Sequence, residues 1–334
     1  MKALIHDQAT QALTISDACP IPTAKAHEHL LKVYATGITT GELYWPRPPE
    51  LQQSHPGVEM CGSVVTAPSG SRFSPGDRIY MRTTYPRAGS ARVYSIGLDH
   101  ELRLAPKNVT AEEAASVPVS ALTAWQGLFE YAGLKPSFDE KPNGEAPSNP
   151  LKLFVNGGSS GVGLWYIQLA HALGHYIVAT CSTKNISLVE NMGANEVIDY
   201  TKTSIREWNS HHNIKFDHVF DCVGLHKTPD CWHLGDKVWT IVLPPGEITW
   251  PPKWILDVPE GISEGVTGRF FVMEPNGEQL AKIAKLIEDG VAKPNVDSVW
   301  SLEEYEKAFE RLDSGRAVGK VILKVADENE NENE

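Results

Sequence analysis

Apolar runs long enough to cross a bilayer are missing from this chain. No stretch of about 18 consecutive apolar residues occurs in its 334 positions, so a membrane span is not expected. The opening Met1-Lys2-Ala3-Leu4-Ile5-His6-Asp7 lacks the apolar core of a secretion signal and reads as the start of a strand. Cysteine is scarce. Cys19, Cys61, Cys181, Cys222 and Cys231 make an odd number, and no pair has CxxC spacing. That argues against a disulfide framework and for a reducing, cytoplasmic setting, with the thiols buried or idle. Positive charge is also in deficit. A net charge of −12 gives no bulk attraction for nucleic acid or anionic lipid. Part of the acidity sits in residues 326–334, ADENENENE, a low-complexity tail with five acids that is expected to be disordered.

What is present suits a globular protein of two domains. Hydrophobic residues make up 41%, enough to fill real cores. The first 115 or so positions are β-rich. Residues 30–35 (LLKVYA) and 58–67 (VEMCGSVVTA) read as strands, the second with a glycine suited to a close approach or bulge. Ser74-Pro75-Gly76-Asp77-Arg78 is a turn leading into the strand 79–81. No helical period of useful length precedes Thr110. Thr110-Ala111-Glu112-Glu113 is a capping box, and helical patterns follow, one of them over 121–132. Residues 135–150 (KPSFDEKPNGEAPSNP) form an exposed polar loop. Beyond it strands and helices alternate, the mark of a parallel sheet with crossover helices. The strands are expected at 151–155, 176–181, 195–200, 218–222, 238–243, 269–273 and 320–325. Helices are expected at 161–173, 186–192, 277–289 and 302–312. In the third of these Leu280, Ile283, Ala284 and Ile287 share a face.

The most informative motif is Gly157-Gly158-Ser159-Ser160-Gly161-Val162-Gly163. It follows an apolar strand, opens a helix, and a second strand arrives at Tyr176. Glycines there let the backbone turn tightly and approach a pyrophosphate. The helix N-terminus supplies free amides and a positive dipole. Ser160 stands where the generic GxGxxG has its middle glycine. A loop of this kind alone can be a plain strand-to-helix turn; the whole strand–helix–strand context makes it a dinucleotide site. The cofactor is chosen at the end of the second strand. NAD enzymes place an acid there to bind the ribose hydroxyls. This chain has Thr180-Cys181-Ser182-Thr183-Lys184-Asn185, with hydroxyls, a cation and an amide but no acid. That set suits a 2′-phosphate, with Lys184 as the charge, Ser182 as a donor and Asn185 beside them. NADPH is therefore favoured over NADH, the alternative being an ordinary polar turn before the next helix.

Read together, these residues resemble the medium-chain dehydrogenase/reductase superfamily, in its zinc-free, quinone-oxidoreductase-like (enoyl-reductase-like) branch. Tyr34-Ala35-Thr36-Gly37-Ile38-Thr39-Thr40-Gly41-Glu42 sits where that family has its first catalytic segment. His55-Pro56-Gly57-Val58-Glu59 resembles its PGHE segment and Pro75-Gly76-Asp77-Arg78-Ile79 its PGDRV turn. Ala114-Ala115-Ser116-Val117-Pro118 with Leu122-Thr123-Ala124-Trp125 matches AAxLP…LTAW. The glycine loop, Gly193-Ala194-Asn195-Glu196-Val197-Ile198-Asp199-Tyr200 and Gly319-Lys320-Val321 complete the order. The resemblance implies an α/β fold. A GroES-like β-barrel catalytic domain over 1–120, completed by 267–325, would flank a Rossmann cofactor-binding domain over 121–266.

Zinc-dependent relatives hold the metal with a Cys in the first segment, the His of PGHE and a later Cys or Asp. The matching positions here are Thr39, Val58 and Val119, and no set of three ligands exists among them. His55 and Cys61 flank the region without a third partner and read as structural. No four-cysteine cluster falls between positions 78 and 117. No metal is expected. Without a Lewis acid an alkoxide is poorly stabilised, whereas hydride addition to a conjugated carbonyl spreads its charge into an enolate or hydroquinone anion. The expected function is thus NADPH-dependent reduction of a small conjugated carbonyl: a quinone, enone or enoyl-type substrate. The alternatives are a non-redox cyclase or isomerase on the same fold, and a cofactor-binding protein with vestigial activity. Neither nucleic acid nor membrane is an expected partner, and a homodimer is compatible with the resemblance.

By family position Thr123 would contact the nicotinamide side, and Phe271 and Val272 would lie near the carboxamide. Tyr200 would lie near the adenosine phosphate. Gly158, Ser159, Ser160, Gly161, Val162 and Gly163 would cradle the pyrophosphate. Tyr44 is the candidate oxyanion donor or proton source, with Thr39 beside it. A plain aromatic wall is the other reading of Tyr44. Glu42 reads as a surface or supporting residue. Where many zinc-free relatives have Asn-x-x-Asp this chain has Thr39-Thr40-Gly41-Glu42, so solvent water is an alternative proton donor. Trp45, Tyr85, Tyr94 and Trp125 are candidate cleft aromatics. The Trp-Pro stretches 45–49 and 250–254 would shape the cleft or simply stiffen loops.

Overall fold

The computed structural model describes residues 1–138, 147–244, 247 and 254–328. Much of the polar loop at 135–150, positions 250–253 of the second Trp-Pro stretch and positions 329–334 of the acidic tail lie outside the described residues. The chain divides into two compact units, Met1–Leu122 with Glu274–Glu334, and Thr123–Met273. Among the described residues no helix is long and apolar enough to cross a membrane.

In the first unit the long strand Glu28–Ile38 is the hub. It pairs antiparallel with Glu59–Thr66, with Tyr94–Leu98 and with Lys320–Lys324. Val296–Ser301 joins beyond Lys320–Lys324, while Arg78–Arg82 and Leu102–Leu104 follow Glu59–Thr66 on the other side. The glycine in the second predicted strand has the expected use. A Cβ on Gly62 would lie 2.0 Å from the Lys32 carbonyl oxygen, and the pairing register slips beside it, between Val33 and Ala35. Leu31, Val33, Met60, Val64, Ile79 and Met81 fill one core of the unit. Leu4, Ile38, Phe309, Leu312, Val321 and Leu323 fill the other. Before Ala111 the only helical turns described are the short 3-10 segments Glu42–Tyr44 and Pro49–Leu51. The capping box forms as read: Glu113 donates its amide to Thr110 Oγ1 at 3.2 Å, and its carboxylate accepts the Thr110 amide at 2.8 Å.

The second unit carries a sheet whose strands, in spatial order, are Glu196–Asp199, Tyr176–Cys181, Lys152–Asn156, His218–Asp221, Lys237–Thr240, Thr267–Phe270 and Ile255–Leu256. The first six run parallel, in the 3-2-1-4-5-6 order of a dinucleotide-binding sheet; the last is an antiparallel edge. Thr267–Phe270 pairs with Lys237–Thr240 and so stays in this unit. The chain returns to the first unit at Glu274 rather than near position 267. The helix read over 121–132 starts earlier, at Pro118, a residue suited to a first helical turn. It gives way after Gln126 to a π turn, Gly127–Tyr131. Besides short strands such as Tyr94–Leu98, Leu102–Leu104 and Ile255–Leu256, two longer elements have no counterpart in the sequence reading. They are the helix Ile205–His212, too short to show a period, and the strand Val296–Ser301, whose residues are mostly half-buried without alternation.

At the carboxyl ends of the central parallel strands a polar network is buried beneath the first strand-to-helix turn. Asp221 accepts from Asn156 Nδ2 at 2.7 Å, Thr240 Oγ1 at 2.7 Å, and the amides of Val223 and Gly224 at 3.1 and 2.9 Å. Asn156 Oδ1 accepts from Thr180 Oγ1 at 2.7 Å, and that hydroxyl oxygen accepts the Gly157 amide at 2.9 Å. Burial raises the Asp221 carboxyl above its ordinary range, and its four donors pull the other way. Asp221→Ala would strand those donors in the interior. It is expected to lower the unfolding free energy by about 3 kcal/mol in urea titration, and Thr240→Val by about 1 kcal/mol. An Asp221→Ala variant as stable as the parent would mean that water satisfies these groups unaided.

Candidate active site

The glycine loop opens the helix Gly161–Ala172. Gly157 has φ of +82°, and its carbonyl would lie 2.3 Å from a Cβ on Gly163, so the last glycine of the motif is a packing requirement. Ser160, the departure from the generic pattern, is the N-cap. Its φ is −71°, open to any residue, and its Oγ accepts the Gly163 amide at 3.0 Å. The amides of Gly161 and Val162 lie in the first turn, where the helix itself offers no carbonyl. The Gly158 amide is bound to the Thr180 carbonyl at 2.8 Å, which ties the loop to the second strand.

The turn after that strand is the 3-10 segment Thr183–Asn185, preceded by Ser182. Asn185 Nδ2 donates to Ser159 Oγ at 3.2 Å, so the turn and the glycine loop are joined. Lys184 is exposed and has no carboxylate partner among the described residues. Tyr200 is exposed beside them, its amide donating to the Cys181 carbonyl at 3.2 Å. One acid in this neighbourhood escapes the sequence reading, because it arrives from the next strand. Parallel pairing sets Asp199 opposite Cys181, and its carboxylate accepts from Thr183 Oγ1 at 2.5 Å and from Thr201 Oγ1 at 2.6 Å. Those hydroxyls hold its pKa down to about 2. Lys202 stands 3.4 Å from it, so its charge is already matched. Elsewhere in this unit Thr123 is buried on the helix Pro118–Gln126. Phe271 is buried against Tyr131, with ring centroids 4.4 Å apart, and Val272 is half-buried. Trp125 packs on Phe129 and Phe138, which makes it a core aromatic.

In the first unit Tyr44 ends the turn Glu42–Tyr44 and is 67% exposed. Trp45 meets Tyr85 edge-to-face at 6.0 Å, while Tyr94 is half-buried on its strand. Glu42 is neither exposed nor at a surface. It is fully buried, its carboxylate accepting the Gly57 amide at 3.2 and 3.3 Å. Burial raises its pKa to about 7 against the pull of Lys320 and Arg47. Beside it lies a second buried carboxylate, Glu59. Lys320 Nζ is 2.6 Å from Glu59 Oε1 and donates to Thr39 Oγ1 at 3.0 Å. The Val119 amide donates to Glu59 Oε2 at 2.7 Å.

These residues do not fit a catalytic zinc. Of the three positions that match the family's ligands, Val58 and Val119 have no donor atom in their side chains, and the Thr39 hydroxyl is a poor one. The nearby carboxylate is taken up by an ammonium and an amide. His55 is bound through Nδ1 to the Leu4 carbonyl at 2.8 Å, and burial lowers its pKa to about 4. Cys61 is fully buried and its thiol is pushed up to about 12. Among the described residues no group of three His, Cys, Asp or Glu side chains is placed to hold a metal.

A family described as zinc-binding dehydrogenase matches residues 192–323. The chain is 38% identical over 312 residues to "Probable zinc-binding oxidoreductase, mitochondrial" of Arthroderma benhamiae, covering 92% of this chain and 91% of that one. It is 28% identical over 312 residues to "Chloroplast envelope quinone oxidoreductase homolog" of Arabidopsis thaliana, with 91% and 92% covered. Its fold matches the quinone oxidoreductase of Thermus thermophilus, solved also in complex with NADPH, at a TM-score of 0.71 and 22% identity over 97% of this chain and 100% of that one. The chain is an oxidoreductase with a GroES-like and a Rossmann domain, and it belongs to the quinone-oxidoreductase-like branch of the medium-chain dehydrogenase/reductase superfamily.

Proposed function

We propose that this protein transfers hydride from NADPH to a conjugated carbonyl, of the quinone, enone or enoyl class, without zinc. The observation that carries the reading is the Lys320 ammonium, held by Glu59 and Thr39 where the family's metal-binding residues would stand. A charge that is spread over an enolate or a hydroquinone anion needs hydrogen bonds rather than a Lewis acid.

NADPH, when bound, supplies the hydride. The Gly161 and Val162 amides receive the pyrophosphate, with the helix dipole behind them, in a loop shaped by Gly158, Ser159, Ser160 and Gly163, whose own bonds hold its form. Ser182, Lys184 and Asn185 bind the 2′-phosphate, and Tyr200 lies along the adenosine. Asp199 does not oppose this, since Thr183, Thr201 and Lys202 already engage it. Thr123, Phe271 and Val272 line the nicotinamide. Tyr44 donates a hydrogen bond to the substrate carbonyl, and Thr39 provides a second hydroxyl. The five free thiols suit a reducing compartment, which we take to be the cytoplasm.

Three measurements check this reading. Lys184→Ala should weaken NADPH binding roughly ten- to hundredfold and leave NADH binding almost unchanged. An equal loss for both would assign Lys184 another role. Elemental analysis of the dialysed protein should find well under one zinc per chain; a stoichiometric zinc removed by chelators together with activity would contradict the metal-free reading. Tyr44→Phe should lower turnover about a hundredfold with NADPH affinity intact. Full activity in that variant would pass the donor role to Thr39 or to water.

A further inference from the structure

Lysine is rarely buried, and a buried ion pair adds little net stability because both ions lose their water. Lys320 is nevertheless 7% exposed, and it faces a carboxylate that is wholly buried. Its aim is fixed by the backbone. Gly319, at φ +93°, leaves no room for a Cβ, which would lie 2.1 Å from the Asn295 carbonyl oxygen. That same oxygen accepts the Lys320 amide at 3.0 Å. From this anchor the ammonium reaches Glu59, and its second contact is the Thr39 hydroxyl oxygen at 3.0 Å. That contact occupies a lone pair of Thr39 Oγ1. The hydroxyl proton has no acceptor among the described residues, and Thr39 is only half-buried.

An ammonium that donates into a hydroxyl oxygen draws electron density from the O–H bond and makes it a stronger donor. Glu59 holds the ammonium on Thr39. We propose that Lys320 is a positioning residue for the reaction. Pinned by Glu59, it fixes and polarises the Thr39 hydroxyl so that Thr39 donates to the carbonyl oxygen as negative charge develops there. The ammonium thereby delivers, through a hydroxyl, the positive field that a metal delivers directly in zinc-dependent relatives. This rests on the reading of the protein as a carbonyl-directed reductase.

Lys320→Met alone leaves Glu59 as an unmatched buried charge and can fail to fold, so the neutral pair Glu59→Gln/Lys320→Met is the better test. With NADPH and a quinone as acceptor, the double variant should keep the thermal midpoint and NADPH affinity of the parent while kcat falls ten- to hundredfold. Thr39→Val should give a similar loss, and adding it to the double variant should lower kcat no further. A double variant with parental kcat would make the ion pair a structural element and overturn the proposal. So would losses that multiply when Thr39→Val is added, because Lys320 would then act by another route. A parent that oxidises NADPH with no quinone or enone would overturn the reductase reading and this proposal with it, and that result shows before any variant is made.

Discussion

A carboxylate withdrawn from water has to be met by hydrogen-bond donors or by a positive charge, and each unit of this protein is arranged around such a group. In the second unit the group is Asp221, met by two side chains and two amides. Its network passes through Asn156 and Thr180 to the Gly157 amide, so the first residue of the glycine loop is set by a side chain far along the chain. In the first unit the group is Glu59, met by the Lys320 ammonium and the Val119 amide. Both arrangements lie beside the residues assigned to chemistry.

The two solutions serve different ends. Donor groups around Asp221 give a fixed floor under a loop that must present its amides in one geometry. The ion pair at Glu59 leaves a charge with a free direction, and that direction points at Thr39. Zinc-dependent relatives place a metal among a Cys, a His and a further ligand. On the proposed reading Thr39, Val58 and Val119 stand in those places, and the cation of the neighbourhood is the Lys320 ammonium.

The parts of the site legible in the sequence are those with local rules. A capping box needs residues three apart, and the glycine loop needs a strand before it and a helix after it, so both lie where the sequence reading puts them. The close approach at Gly62 is signalled by a glycine inside a strand. The parts that stay hidden depend on long-range pairing. Glu42 sits in a short polar-looking turn, and nothing near it reveals that it is buried and met by the Gly57 amide. Asp199 comes beside the cofactor turn through the register of a neighbouring strand, and the link between Lys320 and Glu59 joins distant parts of the chain. The boundary of the second unit differs from the expected one for the same reason. Whether Thr267–Phe270 stays with the parallel sheet is decided by the partner it pairs with.

The most direct test of the account is the fate of the hydride itself. NADPH carrying deuterium at the nicotinamide C4 position would be turned over with an enone by metal-free protein, and the product analysed by mass spectrometry and NMR. The account predicts stoichiometric NADPH consumption, with deuterium on the carbon β to the carbonyl. A substrate transformed without deuterium uptake and without loss of NADPH would contradict it and establish a non-redox reaction on this fold.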